Sequence, residues 1–243
     1  MVTTIQLEEI RNTMPALTAQ IYLNTGTFGP LPACVPEAIT ARIQKEWQDG
    51  RLGAAGFESI AQISTQARQH VARLLHCLPE EVTLTDNTGE GLNIVCYGLD
   101  WQAGDEVITT NHEHISALAP LYQIRDRSGI VIHQADLGMH ADHSARTAIE
   151  ALITPRTRLI VLSHVTWTTG AILDIQAVGT LGRELNIPVL IDGAQSAGNI
   201  PIDVHSLGVD FYALPMQKWL CGPMELERCM YVKDHYAIFN QPM

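Results

Sequence analysis

The residues with the most chemistry to offer are an aspartate at the end of one apolar run and a lysine just past the next. The segment Pro188-Val189-Leu190-Ile191-Asp192-Gly193-Ala194-Gln195-Ser196 predicts a buried strand that delivers Asp192 at its C-terminal end. A second run, Asp210-Phe211-Tyr212-Ala213-Leu214, leads into Pro215-Met216-Gln217-Lys218-Trp219. A free lysine, with a pKa of ~10.4, is neutral in only about one molecule in two thousand at pH 7. A nucleophilic lysine therefore needs a desolvated or cationic setting, and Trp219-Leu220 offers an apolar flank. Such a lysine beside a strand-end carboxylate suits pyridoxal phosphate. The amine forms a Schiff base with the cofactor aldehyde, and the carboxylate keeps a proton on the pyridine nitrogen. Each pKa unit by which Asp192 raises that nitrogen is worth ~1.4 kcal/mol. Without a cofactor, Lys218 is a surface lysine at a strand exit and Asp192 is the N-cap of the turn that follows.

Three further clusters fall at predicted strand ends. Asn87-Thr88-Gly89-Glu90-Gly91 follows one strand and opens a helix. Exposed N–H groups and the helix dipole favour an anion there, the Thr88 hydroxyl adds a donor, and Gly89 allows close approach of backbone. The same spacing also fits an ordinary glycine-bearing turn. It lacks the third glycine of a dinucleotide fingerprint. His112-Glu113-His114 follows the next strand. His114 is a candidate proton relay, a solvated loop histidine, or, with His140 and His143, part of a metal site. No cysteine or clear carboxylate completes a ligand set, so no metal is expected. Trp167-Thr168-Thr169-Gly170 follows a fourth strand, and Trp167 is either core or site.

Helical spacing of apolar residues predicts helices over 35–47 and 57–75, separated by the glycine-rich break 49–56. From residue 81 onward the pattern alternates. Strands are predicted over 82–85, 106–109, 130–133 and 159–162, with helices over 92–97, 115–127, 144–153 and 175–185. Strands separated by helices imply a mostly parallel sheet covered on both faces, with ligands at the carboxyl ends of its strands.

With 243 residues, 46% of them hydrophobic, the chain can bury a sizeable core. Its net charge of −11 argues against nucleic acid and anionic membranes as partners. No run is long enough to span a bilayer, and the N-terminus lacks the features of a signal peptide. Five cysteines without paired spacing fit a reducing cytoplasm.

Six motifs in a fixed order now carry a resemblance. They are 22–26 (Tyr-Leu-Asn-Thr-Gly), 87–91, Glu113-His114, Ser163-His164-Val165, 192–196, and Lys218-Trp219 with Gly222-Pro223. From about Tyr22 to Pro223 the chain resembles the class V aminotransferases among the fold-type-I pyridoxal phosphate enzymes. That group includes cysteine desulfurases, cyst(e)ine C–S lyases and isopenicillin N epimerases. The resemblance implies an α/β large domain over 81–223, an N-terminal helical segment over 1–80 at the active-site entrance, and a missing small domain. It implies pyridoxal 5′-phosphate as cofactor and an amino acid as substrate. Lys218 would be the Schiff-base lysine and His114 the residue stacked on the ring. Thr88, Gly89 and Gln217 would hold the phosphate, Asp192 the ring nitrogen and Gln195 the phenolate oxygen. Asn24 is the one candidate substrate contact. The reaction implied is desulfuration or C–S lysis, with transamination and epimerisation as alternatives, and full-length relatives would be homodimers. An inactive remnant with weak or no cofactor binding, or a binding module that does not need Lys218, are the competing readings.

The chain also departs from that family. Pro215 and Met216 stand where a hydroxyl residue and a glycine are usual, which costs the phosphate site a charge-assisted bond of roughly 1.5–3 kcal/mol. At Trp167 the desulfurase asparagine is absent, and a tryptophan followed by a polar residue is closer to the C–S lyases. A persulfide-accepting cysteine on a loop is absent, and Cys221 reads as core-facing. After Gly222-Pro223 the sequence no longer follows the family. Codons for 224–230 exist that, read two bases on, give Gly-Ala-Gly-Ala-Leu-Tyr, the family's continuation. A one-nucleotide frameshift is thus an expectation for the atypical tail 224–243, which would then carry no evolved structure. Sequencing the gene tests it.

Overall fold

The computed structural model describes residues 4–224 and 228–232. Two helices, α1 (Thr4–Asn12) and α2 (Ala16–Ala19), open the chain. Two longer ones follow, α3 (Cys34–Asp49) and α4 (Ala54–Leu75). The alternating part then runs β1 (Val82–Thr85), α5 (Thr88–Gly98), β2 (Glu106–Thr110), α6 (Ile115–Ser128), β3 (Val131–Ala135) and α7 (Ala145–Glu150). It continues with β4 (Thr157–Ser163), α8 (Ile175–Leu185), β5 (Val189–Asp192), α9 (Val204–Leu207), β6 (Phe211–Leu214) and β7 (Arg228–Val232).

The seven strands form one sheet in the order β1-β7-β6-β5-β4-β2-β3. The pairs β3–β2, β2–β4, β4–β5 and β5–β6 are parallel, and β7 runs antiparallel to both β1 and β6. All strands except β7 therefore point the same way, and their carboxyl ends share one edge. Short apolar runs become central strands because both of their faces are covered. Residues of β4 alternate between two cores: Leu159 and Val161 pack with Leu92, Leu121 and Phe211 under α5 and α6. Ile160 and Leu162 pack with Leu75, Ile191, Val178 and Tyr212 under α4 and α8.

The sheet and helices over 81–223 follow the predicted pattern. Helices α1 and α2 fall in the segment over 1–80 expected to be helical, though neither was located by its spacing; α9, a short 3-10 turn over Pro79–Glu81 and β7 were not predicted. Strand β7 comes from the atypical tail: residues 228–232 enter the sheet between β1 and β6. The remainder of that tail, 225–227 and 233–243, lies outside the described residues. No described helix is long and apolar enough to cross a membrane.

Candidate active site

A cavity of about 870 Å3 opens at the carboxyl edge of the sheet. All eight residues singled out from the sequence line it: Asn24, Thr88, Gly89, His114, Asp192, Gln195, Gln217 and Lys218. They come from five separate stretches of chain, each placed there by its own strand exit or loop.

Asp192 ends β5 and is 2% exposed. Its Oδ1 accepts the Ala194 N–H at 2.9 Å, so it does cap the turn that follows. Burial pushes its carboxyl above the usual range; the Ala194 N–H, Lys218 and His114 pull it back only in part. A buried carboxylate held at such a cost favours any cation brought within reach. Lys218 lies on the same wall, just past β6.

The N-terminus of α5 borders the cavity. Asn87 is the N-cap, and its Oδ1 accepts the Glu90 N–H at 2.8 Å; Glu90 reaches back to the Asp86 N–H. Thr88 and Gly89 then face the cavity. A Cβ on Gly89 would come within 3.0 Å of Asn87 Oδ1, so the glycine protects the cap as well as the approach to the helix end. Gln217 brings a buried Oε1 that has no hydrogen-bond partner among the described residues. Such an orphan is costly unless a ligand meets it, and half a turn of the amide offers its N–H groups instead.

Gln195 is more tied down than its sequence position suggests. Its Nε2 donates to the Gly26 carbonyl at 3.0 Å, and its Oε1 accepts from the Trp219 indole at 2.8 Å. One amide hydrogen is left for a ligand. The loop carrying Asn24 is pinned over this wall. The Gly29 N–H donates to the Gln217 carbonyl at 2.7 Å, and a Cβ on Gly29 would collide with the Lys218 carbonyl. Asn24 Oδ1 itself accepts from the Thr27 hydroxyl at 2.8 Å.

His114 is the N-cap of α6; its Nδ1 meets the Ser116 hydroxyl at 2.7 Å. The Trp167 ring stands edge-on to it, with centroids 5.5 Å apart. Trp167 is 53% exposed, so it belongs to the cavity rim and not to the core. His112 is engaged elsewhere, with Thr168 Oγ1 at 2.6 Å and the Gly138 carbonyl at 2.7 Å. His143 Nδ1 meets the Asp136 carbonyl at 3.3 Å. Among the described residues no three metal-capable side chains come together.

Several residues that the sequence placed in motifs, without a role at the site, also shape it. His164, adjacent to Ser163 on β4, is buried and bonds Tyr212 at 2.8 Å, and Tyr212 bonds Ser196 in turn. This chain braces the 192–196 turn from below. Burial lowers His164 to about 4, so it is neutral, and raises Tyr212. Ser163 and Trp219 also line the cavity. Cys221 does not line it; its thiol sits against Gly29 and burial raises it.

Comparison with known proteins now decides the ancestry. The family model for class-V aminotransferases matches residues 21–226. The chain belongs to the class V aminotransferase family. A probable cysteine desulfurase of Methanothermobacter thermautotrophicus is 30% identical over 224 residues, covering 90% of this chain and 55% of that protein. The isopenicillin N epimerase of Streptomyces clavuligerus is 31% identical over 221 residues, covering 89% of this chain and 54% of that protein. Among solved structures, a C-DES mutant with glycine covalently linked to its pyridoxal phosphate superposes with a TM-score of 0.88 at 34% identity, covering 92% of this chain and 59% of that one. The cystine C–S lyase C-DES in complex with its product cysteine persulfide gives 0.87, also at 34% identity, covering 91% and 59%. The class V chain described here thus spans little more than half the length of the relatives it matches, and its α/β fold is theirs.

Proposed function

We propose that this chain binds pyridoxal 5′-phosphate and takes part in cleaving a carbon–sulfur bond of a cysteine-like amino acid. The observation that carries this reading is the buried, proton-hungry Asp192 on the same cavity wall as Lys218. The residues present suit the cofactor. The α5 N-terminus with Thr88 and Gly89 suits its phosphate, the orphaned Gln217 amide a further phosphate oxygen, and Asp192 a protonated ring nitrogen. When bound, the cofactor supplies an aldehyde that condenses with amines and a ring that accepts electrons from the substrate carbon. Lys218 would be its covalent anchor and, once released, the base that moves a proton at that carbon. His114, held by Ser116 and Trp167, lines the same cavity as Asp192 and would be the proton relay.

The likeness to C-DES and the rim position of Trp167 favour β-elimination, which needs no protein thiol to receive sulfur, over desulfuration. Incubation with cystine or cysteine separates the two: pyruvate with released sulfur supports elimination, alanine supports desulfuration, and neither with bound cofactor sinks the C–S reading. Epimerisation is the second reading, favoured by the isopenicillin N epimerase relative.

The partner we propose is a second copy of the chain. Trp47, Leu52 and Phe57 are 83%, 87% and 64% exposed around the α3–α4 turn, an apolar patch of the kind that associates. The compartment we propose is the cytoplasm, in keeping with unpaired thiols at Cys34, Cys77, Cys96 and Cys221. Recovery of the native protein outside the cytosolic fraction contradicts it.

A further inference from the structure

Glu113 stands just behind the cavity wall and is not part of its lining. It is 6% exposed, and both carboxyl oxygens are taken. Thr110 Oγ1, at the end of β2, lies 2.6 Å from Oε1. Ser163 Oγ, at the end of β4, lies 2.6 Å from Oε2. Thr110 Oγ1 also accepts the His112 N–H at 3.2 Å, which folds the strand exit back on itself. Ser163 is the register neighbour of Asp192 across the β4–β5 pair, and His114 is the next residue after Glu113. One side chain therefore links the backbone of His114 to the strand end beside Asp192.

We propose that Glu113 is a positioning residue that holds His114 in register with the strand end bearing Asp192. The neutral acid is the form that suits this place. Its O–H donates to one hydroxyl while the other hydroxyl donates to its carbonyl oxygen, so both bonds survive protonation. Burial pushes the carboxyl up to about 7; the Ser163 and Thr110 donors oppose that, and the Asp192 charge adds to it. From β5 the group facing it is Asp192. From β2 and β4 it is faced by the uncharged Thr110 and Ser163. The neighbouring histidines are turned away, His112 to Thr168, His114 to Ser116 and His164 to Tyr212. Two carboxyls this close and this buried do not both ionise readily. Leaving the charge on Asp192 reserves it for a cation in the cavity.

What His114 and Asp192 are held for rests on the proposed function, but the clamp itself can be read without cofactor. The sign is fixed by linkage. A carboxyl whose folded value lies above its ordinary value of 4.5 costs stability as pH rises from that value through about 7. The experiment compares thermal unfolding of the apoprotein between about pH 5 and 9 for the native chain, Glu113→Gln and Glu113→Ala, and then titrates each with pyridoxal phosphate. Glu113→Gln should keep the clamp, lose part of the downward slope between about pH 5 and 8, and bind the cofactor within about threefold of the native chain. Glu113→Ala should melt lower throughout and bind at least about tenfold more weakly. A Glu113→Gln curve parallel to the native one, or native affinity in Glu113→Ala, overturns the proposal. If Glu113→Ala fails to fold, the Gln comparison alone decides. If the native chain binds no cofactor, the proposed function fails while the apoprotein curves still decide for or against the clamp.

Discussion

Asp192 is under tension between two demands. The apoprotein bears the cost of burying its carboxyl, and a cofactor nitrogen would relieve that cost. Asp192→Asn should therefore stabilise the apoprotein and weaken cofactor binding together. The gain should appear at neutral and alkaline pH and vanish in acid, because a carboxyl raised in the folded state is already protonated there. The lost charge-assisted bond, about 1.5–3 kcal/mol, predicts roughly 10- to 150-fold weaker binding of pyridoxal phosphate. Melting curves at pH 5 and 8 with a cofactor titration check both halves, and an apoprotein equally stable with Asp or Asn at high pH contradicts the first. His164 acts in the opposite sense. Its folded value of about 4 lies below the ordinary 6.5, so its contribution is full above 6.5 and is lost as pH falls through 4. His164→Asn should flatten the acid limb of the stability profile by up to roughly 3 kcal/mol. An unchanged acid limb rules out that assignment.

At the scale of elements, the site depends on loops that meet over the sheet edge. Gly29 is the tightest of these meetings, since any Cβ there runs into the Lys218 carbonyl. Gly29→Ala should displace the Asn24 loop or the Lys218 turn and cut cofactor affinity by at least about tenfold, while Gly53→Ala, in open space at the α4 start, tests backbone strain without a collision. Equal affinity in Gly29→Ala and the native chain contradicts this packing. The same scale shows what the sequence could tell. Strands β4, β5 and β6 were legible because unbroken apolar runs buried on both faces leave no other placement. The eight cavity residues were legible because each stands at such a strand's exit or in a short motif. Three features were not. The indole of Trp219 reaching Gln195 joins positions 24 residues apart, and the Ser163 bond to Glu113 joins positions 50 apart. Neither has a local signature. Residues 228–232 carry no family motif, and only their pairing with β1 and β6 makes them a strand. The α3 and α4 apolar stripes were read correctly as helices, yet their outer residues are exposed, so periodicity located a face without saying what covers it.

That face is the question at the scale of the whole molecule. The described chain leaves Trp47, Leu52 and Phe57 in water beside α3 and α4, away from the cores on the two faces of the sheet. A second copy would bury them. Sedimentation should show a dimer, and Trp47→Lys with Phe57→Lys should shift it to monomer without lowering the melting temperature of the sheet domain; a native chain that sediments as a monomer removes the proposal. The central claim concerns Lys218. The most direct measurement is the visible spectrum of the folded protein incubated with pyridoxal phosphate, followed by borohydride reduction and peptide mass mapping, with Lys218→Ala alongside. A yellow absorption band, with the cofactor mass on the Lys218 peptide and absent from the variant, is the predicted result. A folded protein that shows no band, or one that carries the label on another lysine, contradicts the account.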